Sequence, residues 1–191
     1  MRSCRGKSLQ GPNEQKVVPQ WQKSRGCFIL NAALELSKNQ IAYMFAESKN
    51  TGETIQLIEL LRRRHTGYRR MFLSWDAAPW HSSRKLKERI DFLNEWAPHD
   101  RAPSIQVLPL PTSAQFLNVI ESVFSGLARA VLHNSDYASV EDAKAAVALY
   151  LDDRNRAFET EPRRAGKLIW NMERVRSEFL ESNNCKDLRY S

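Results

Sequence analysis

Short apolar runs alternate with longer amphipathic stretches along most of this chain, the pattern of strands interleaved with helices. Residues 26–34, Gly-Cys-Phe-Ile-Leu-Asn-Ala-Ala-Leu, form an apolar run of strand length. Residues 41–46, Ile-Ala-Tyr-Met-Phe-Ala, follow across a polar turn at 37–40, which predicts a hairpin. Asn50-Thr-Gly-Glu53 carries the side chains of a capping box, and Ile55, Ile58 and Leu61 then fall on one helical face. This helix ends in Arg62, Arg63 and Arg64, which suit the negative end of its dipole, and Gly67 closes it. A buried strand is predicted over 71–75, handing Asp76 to a proline-containing turn. Ser82 or Ser83 caps a helix over 84–96, a loop with two prolines spans 97–104, and a short strand over 105–110 is halted by Pro109 and Pro111.

Beyond residue 115 the period becomes helical throughout. At 100° per residue, Phe116, Ile120, Val123, Phe124, Leu127 and Val131 fall in one stripe, with Glu121 at its shoulder. Ser139-Val-Glu-Asp142 opens another capped helix, whose Val140, Ala143, Val147, Tyr150 and Leu151 form the apolar face. Pro162 suits the first position of a last helix running towards Leu180. The fold class expected is α/β, and no internal repeat is present.

Composition narrows the class of partner. At 191 residues the chain suits one domain, and 42% hydrophobic content with five Trp and eight Phe excludes a disordered body. The net charge of +7 favours a polyanion, although a solvated basic surface gives the same figure. Arg2, Arg5, Lys7, Lys16, Lys23 and Arg25 against Glu14 put five of those charges in the first 25 residues. Cys4, Cys27 and Cys185 are odd in number and far apart, so neither a disulfide framework nor a zinc site is expected. The apolar runs are too short for a membrane span and the opening residues lack a signal-peptide core, so the expected setting is cytoplasmic.

Two carboxylates carry the candidate chemistry. Asp76 stands where open α/β sheets place their sites, at the C-terminal end of a strand. Glu121 leans from an apolar helix, a position that a simple boundary residue also occupies. Asp and Glu without a Cys or His cluster suit hard cations such as Mg²⁺. His81 is read either as part of that site or as a turn histidine ordering the helix start. Trp75 fits the core better than a base-stacking role.

Asp76-Ala-Ala-Pro79-Trp80-His81 and Leu117-Asn118-Val-Ile-Glu121 resemble two segments of the Asp-Asp-Glu (DDE) transposases of bacterial insertion sequences related to mariner elements. Those segments are Asp-Asn-Ala-Pro-x-His and Leu-Asn-Pro-Ile-Glu. The likeness also runs through residues 45–51, 67–70, 150–155 and 162–170, covering the chain from about Val17 to Trp170. Ala77 and Val119 depart from the pattern, and the loop at 97–104 looks like an insertion.

The resemblance implies a ribonuclease-H-like mixed sheet flanked by helices, cutting and joining DNA with two Mg²⁺ or Mn²⁺ ions. Asp76 and Glu121 would each hold one ion. The family's first, bridging Asp sits on a central opening strand and has no match here; Glu14, Glu35 and Glu47 are not evident replacements. The resemblance therefore implies a catalytic domain without its first strand, with little cleavage activity alone, in a nucleoid-associated setting. The alternative is a non-catalytic DNA-binding or subunit-interaction remnant. Arg62, Arg63, Arg64, His81, Arg84 and Lys85 are the candidate DNA contacts, and a homodimer is the candidate assembly. The expected division is a basic arm over 1–20, the catalytic domain over 21–160 and a helical extension over 161–191.

Overall fold

The computed structural model describes residues 23–76, 78–108, 110, 118–133 and 135–166, together with the backbone of 2–3 and 17–18. Strands β1 (Arg2–Ser3) and β2 (Val17–Val18) pair antiparallel. The segment expected as an extended arm thus pairs with itself at these points.

The predicted hairpin is present as β3 (Ile29–Glu35) and β4 (Gln40–Ala46), in register from Ile29 opposite Ala46 to Glu35 opposite Gln40. Asn39 turns the chain with φ 57°, a left-handed conformation that Asn tolerates, and Arg154 donates to its carbonyl at 2.8 Å. The cross-strand pairs Leu30–Phe45, Ala32–Tyr43 and Leu34–Ile41 share one face. On that face lie α3 (Ile120–Leu127) and α4 (Val140–Thr160). Val123, Leu127, Val131, Val147 and Leu151 meet Ile41 in the first core. The tail of α3 widens into a π turn over Ala128–Leu132, where His133 N–H reaches back to the Ala128 carbonyl at 2.8 Å. Gly26, at φ 133°, lets the chain pass the start of α4: a Cβ there would lie 2.5 Å from a Val140 methyl.

A second core sits beneath a βαβ unit. Helix α1 (Thr51–Arg64) is capped by Asn50, whose side chain accepts from Glu53 N. It leads to β5 (Arg70–Leu73), then α2 (Arg84–Asp100) and β6 (Ser104–Val107), with β5 and β6 parallel. Ile58, Leu86, Ile90, Leu93 and Ile105 are buried here, with Met71, Leu73 and Trp75 packed against them. Helix α1 touches the hairpin as well as α2, and so joins the two cores.

Two asparagines protect strand edges. Asn155 accepts from Ile41 N–H at 2.8 Å and donates to Ile41 C=O at 2.9 Å. Asn94 does the same for Ile105, at 2.6 and 2.9 Å. Each amide stands in for a neighbouring strand and blocks further pairing at that residue.

Several boundaries differ from those expected. The strand over 71–75 is not buried on both faces: Met71 and Leu73 face the core, while Phe72 is 58% exposed. None of the described elements packs on that outer face. Helix α2 continues through the predicted loop to Asp100, with Pro98 in its last turn, so the hydrogen bond that the proline forfeits is one at the helix end. The strand over 105–110 ends at Val107, although Leu108 and Leu110 N–H still bond Leu73 and Trp75 carbonyls. Pro162 starts no helix within residues 162–166, and the rest of that predicted helix lies outside the described residues. So do Phe116 and Leu117; the Glu121 helix is described from Ile120.

Candidate active site

The β5–β6 pairing aims the chain at Asp76. Leu108 N–H bonds the Leu73 carbonyl at 2.8 Å and Leu110 N–H the Trp75 carbonyl at 3.1 Å, so the strand direction persists to the residue before the carboxylate. Ala78 N–H then donates to Asp76 Oδ1 at 3.3 Å. Pro79 begins a single 3₁₀ turn, Pro79–His81, that swings the imidazole back over Asp76. His81 Nδ1 lies 3.0 Å from Asp76 Oδ1, a charge-assisted bond whenever Nδ1 carries the proton.

The ring is fixed from two further sides. Trp75 lies 5.2 Å away, tilted by 33°, and Trp80 meets it edge-on at 5.8 Å. His81 is therefore only 20% exposed, while the Asp76 side chain remains 58% exposed. One carboxylate oxygen is held and the other makes no hydrogen bond among the described residues.

Two helix starts converge beside this turn. Thr51 Oγ1, at the first residue of α1, donates to Ser83 Oγ at 3.0 Å, and Ser83 accepts from Leu86 N–H as the cap of α2. The positive ends of both dipoles thus lie near an acidic side chain. Arg84 and Lys85 open α2 at the same end, both exposed, with Arg84 bonded to Glu88 at 2.7 Å.

Glu121 stands in the first turn of α3 and is exposed, with Asn118 donating to its Oε1 at 3.3 Å. Val123, Leu127 and Val131 anchor its helix and the following π turn in the hairpin core, whereas Trp75, beside Asp76, packs on the βαβ core. No hydrogen bond or ion pair links Asp76 to Glu121, and no three His, Cys, Asp or Glu side chains form a metal-holding group among the described residues. The donor types still fit a hard cation, since both are exposed carboxylates.

The arginine triplet lies at the far end of α1. Arg62, expected as a candidate DNA contact, is instead turned inward: it is 5% exposed, donates to Pro103 C=O at 3.2 Å and pairs with Asp100 at 3.2 Å. Its charge is spent tying α1 to the end of α2, which removes it from the candidate DNA contacts. Arg63 and Arg64 are exposed. A cleft of about 680 Å³ lies elsewhere, between residues 23–30 and the helices α3 and α4, and none of the candidate residues lines it.

Comparison with known proteins places the chain. The family model described as DDE superfamily endonuclease matches residues 2–144, and the chain belongs to that family. Its fold is also similar to that in the crystal structure of the Mos1 strand transfer complex, at a TM-score of 0.55 and 19% identity. That match covers 83% of this chain and 47% of the other, so the chain spans about half the length of its structural relative. The fold is accordingly ribonuclease-H-like. No curated protein matches the chain. No helix among the described residues is long and apolar enough to cross a membrane.

Proposed function

We propose that this chain is a transposase catalytic domain for divalent-metal-dependent cleavage and joining of DNA strands. Family membership supports the reaction class, and the observation that carries the site is the Asp76–His81 pair at the C-terminal mouth of β5, 3.0 Å apart. Asp76 and Glu121 would hold Mg²⁺ or Mn²⁺, which when bound supplies an activated oxygen nucleophile and a stabilised leaving oxygen. His81 acts on Asp76: its bond to Oδ1 sets the carboxylate's direction and leaves the second oxygen for a cation. The dipoles of α1 and α2 add positive potential where a phosphate would lie.

Within these 191 residues no acid matches the family's first Asp, and low turnover by this stretch alone is part of the proposal. The DNA substrate would be an element end and its target, met by a homodimer in the cytoplasm. A nicking assay with Mn²⁺ on supercoiled DNA tests both halves. Weak or absent nicking is expected, and any residual activity should disappear in Asp76→Ala. Robust turnover abolished by Asp76→Ala would overturn the low-activity half; robust turnover that survives Asp76→Ala would overturn the site.

The alternative reading is a non-catalytic DNA-binding or subunit-interaction remnant that keeps the fold and the net charge of +7. Duplex binding that is insensitive to both Mn²⁺ and Asp76→Ala would select it.

A further inference from the structure

The topology gathers charge at the end of the molecule opposite Asp76. Helix α1 starts beside the Asp76 turn and runs for 14 residues, roughly 21 Å, before ending at Arg64. Helix α2 starts at the same turn and ends at Asp100, with Arg101 next. Strands β5 and β6 begin where these helices end, so Arg69 and Arg70 arrive at the same pole. Backbone bonds tie the pieces together: Gly67 N–H to Arg101 C=O at 3.1 Å and Ser104 N–H to Arg69 C=O at 3.2 Å.

Arg63, Arg64, Arg69, Arg70 and Arg101 are all exposed, and none has an ion-pair partner among the described residues. The nearby acids are engaged elsewhere, Asp100 with Arg62 and Glu35 with Ser37, Lys38 and His65. Arginines 84, 89, 156 and 163, by contrast, each face a carboxylate. The α1 dipole accounts for Arg63 and Arg64, but not for Arg69, Arg70 or Arg101.

Arg101 is the most telling of the five. It occupies the left-handed region, φ 55°, at the end of α2, where glycine is the usual choice. An arginine there strains the backbone, and its guanidinium makes no hydrogen bond or ion pair among the described residues. Tyr68, 53% exposed, stands in the same loop as Arg69.

We infer that this pole is a second DNA-binding face, gripping the phosphate backbone of a duplex through Arg63, Arg64, Arg69, Arg70 and Arg101. Guanidinium forks match phosphate oxygens, and a bound backbone relieves the mutual repulsion of five like charges. The face reads no sequence, because phosphate contacts position a duplex without specifying it. It rests on the DNA-acting reading above and adds a surface some 20 Å, the length of α1, from the Asp76 turn, too far for one side chain to serve both.

The test is fluorescence anisotropy of the full chain on a labelled random-sequence duplex between 50 and 200 mM salt, with a melting curve for every variant. Arg63→Gln with Arg64→Gln, and separately Arg69→Gln with Arg70→Gln, should each flatten the slope of log K against log salt by about two, with affinity falling on the order of tenfold. Arg101→Gly should flatten it by about one while Tm holds or rises, a combination that a purely structural arginine does not give. Arg156→Gln, paired with Asp153, serves as the control and should leave the slope unchanged. Unchanged slopes in the patch variants, or affinity losses matched by losses of Tm, would overturn the inference while leaving the DNA-acting reading intact. A wild-type chain that fails to bind duplex DNA would remove both.

Discussion

Asn155→Ala is the most informative perturbation of the fold. The side chain of Asn155 bonds both backbone groups of Ile41, at 2.8 and 2.9 Å, and Ile41 itself is 1% exposed in the centre of the hairpin core. Truncation removes both hydrogen bonds and leaves a buried N–H and C=O without those partners, at about 1–3 kcal/mol apiece when water reaches them poorly. With partial access for water, the expected loss is about 2–4 kcal/mol. For a chain of this size that lowers Tm by roughly 4–16 °C. Urea unfolding should show the midpoint falling with little change in slope, because the buried surface is nearly the same. The Gln40 side chain bonds the Asn155 carbonyl and should keep that bond. Asn155→Asp should lose comparable stability, because its carboxylate would face the Ile41 carbonyl. A loss below about 0.5 kcal/mol in Asn155→Ala, the range of ordinary surface changes, would show that the strand edge does not depend on this amide.

Other expectations follow from the same packing and electrostatics. Leu151→Ala and Val147→Ala empty fully buried positions in the hairpin core; the leucine change should cost about 2–5 kcal/mol and the valine change less, and chemical denaturation that finds Leu151→Ala near neutral would contradict the assigned core. The Tyr43 phenol, partly buried and bonded to Asp152 at 3.0 Å, has its pKa pushed up to about 12. Its neutral form is favoured in the fold, so its contribution is complete below pH 10 and is lost as pH rises towards 12; the stability gap to Tyr43→Phe should close across that window, and a constant gap would refute the assignment. His81→Ala should leave Tm little changed but weaken Mn²⁺ binding by about tenfold to a hundredfold, measured by electron paramagnetic resonance; unaltered affinity would mean that the imidazole does not orient Asp76.

Local chemistry was the most legible part of the chain. Asn50, Ser83 and Ser139 cap the helices that their side chains and spacing announce, because a cap depends on residues within one turn. The hairpin was also readable, since β3 and β4 are both apolar and only a short turn separates them. The proximity of His81 to Asp76 was left open by the sequence, because it depends on how tightly the Pro79 turn closes. What escaped needed distant partners. Nothing near Arg62 shows that Asp100 and the Pro103 carbonyl will bury it. Nothing local marks Asn94 and Asn155 as edge clamps, since the backbone groups they hold lie 11 and 114 residues away. Likewise Arg69, Arg70 and Arg101 become one surface with Arg63 and Arg64 only when two helices end where two strands begin. The helix over 84–100 overran its predicted loop because Pro98 falls in the last turn, where it stops the helix within a few residues instead of at its own position.

The paired roles of Asp76 and Glu121 are tested most directly by Mn²⁺ titration of the full chain with bound duplex DNA, followed by electron paramagnetic resonance. Saturable binding that weakens at least tenfold in both Asp76→Ala and Glu121→Ala, with melting curves unchanged, is the predicted result. Equal Mn²⁺ binding by the wild type and both variants would contradict a shared cation site.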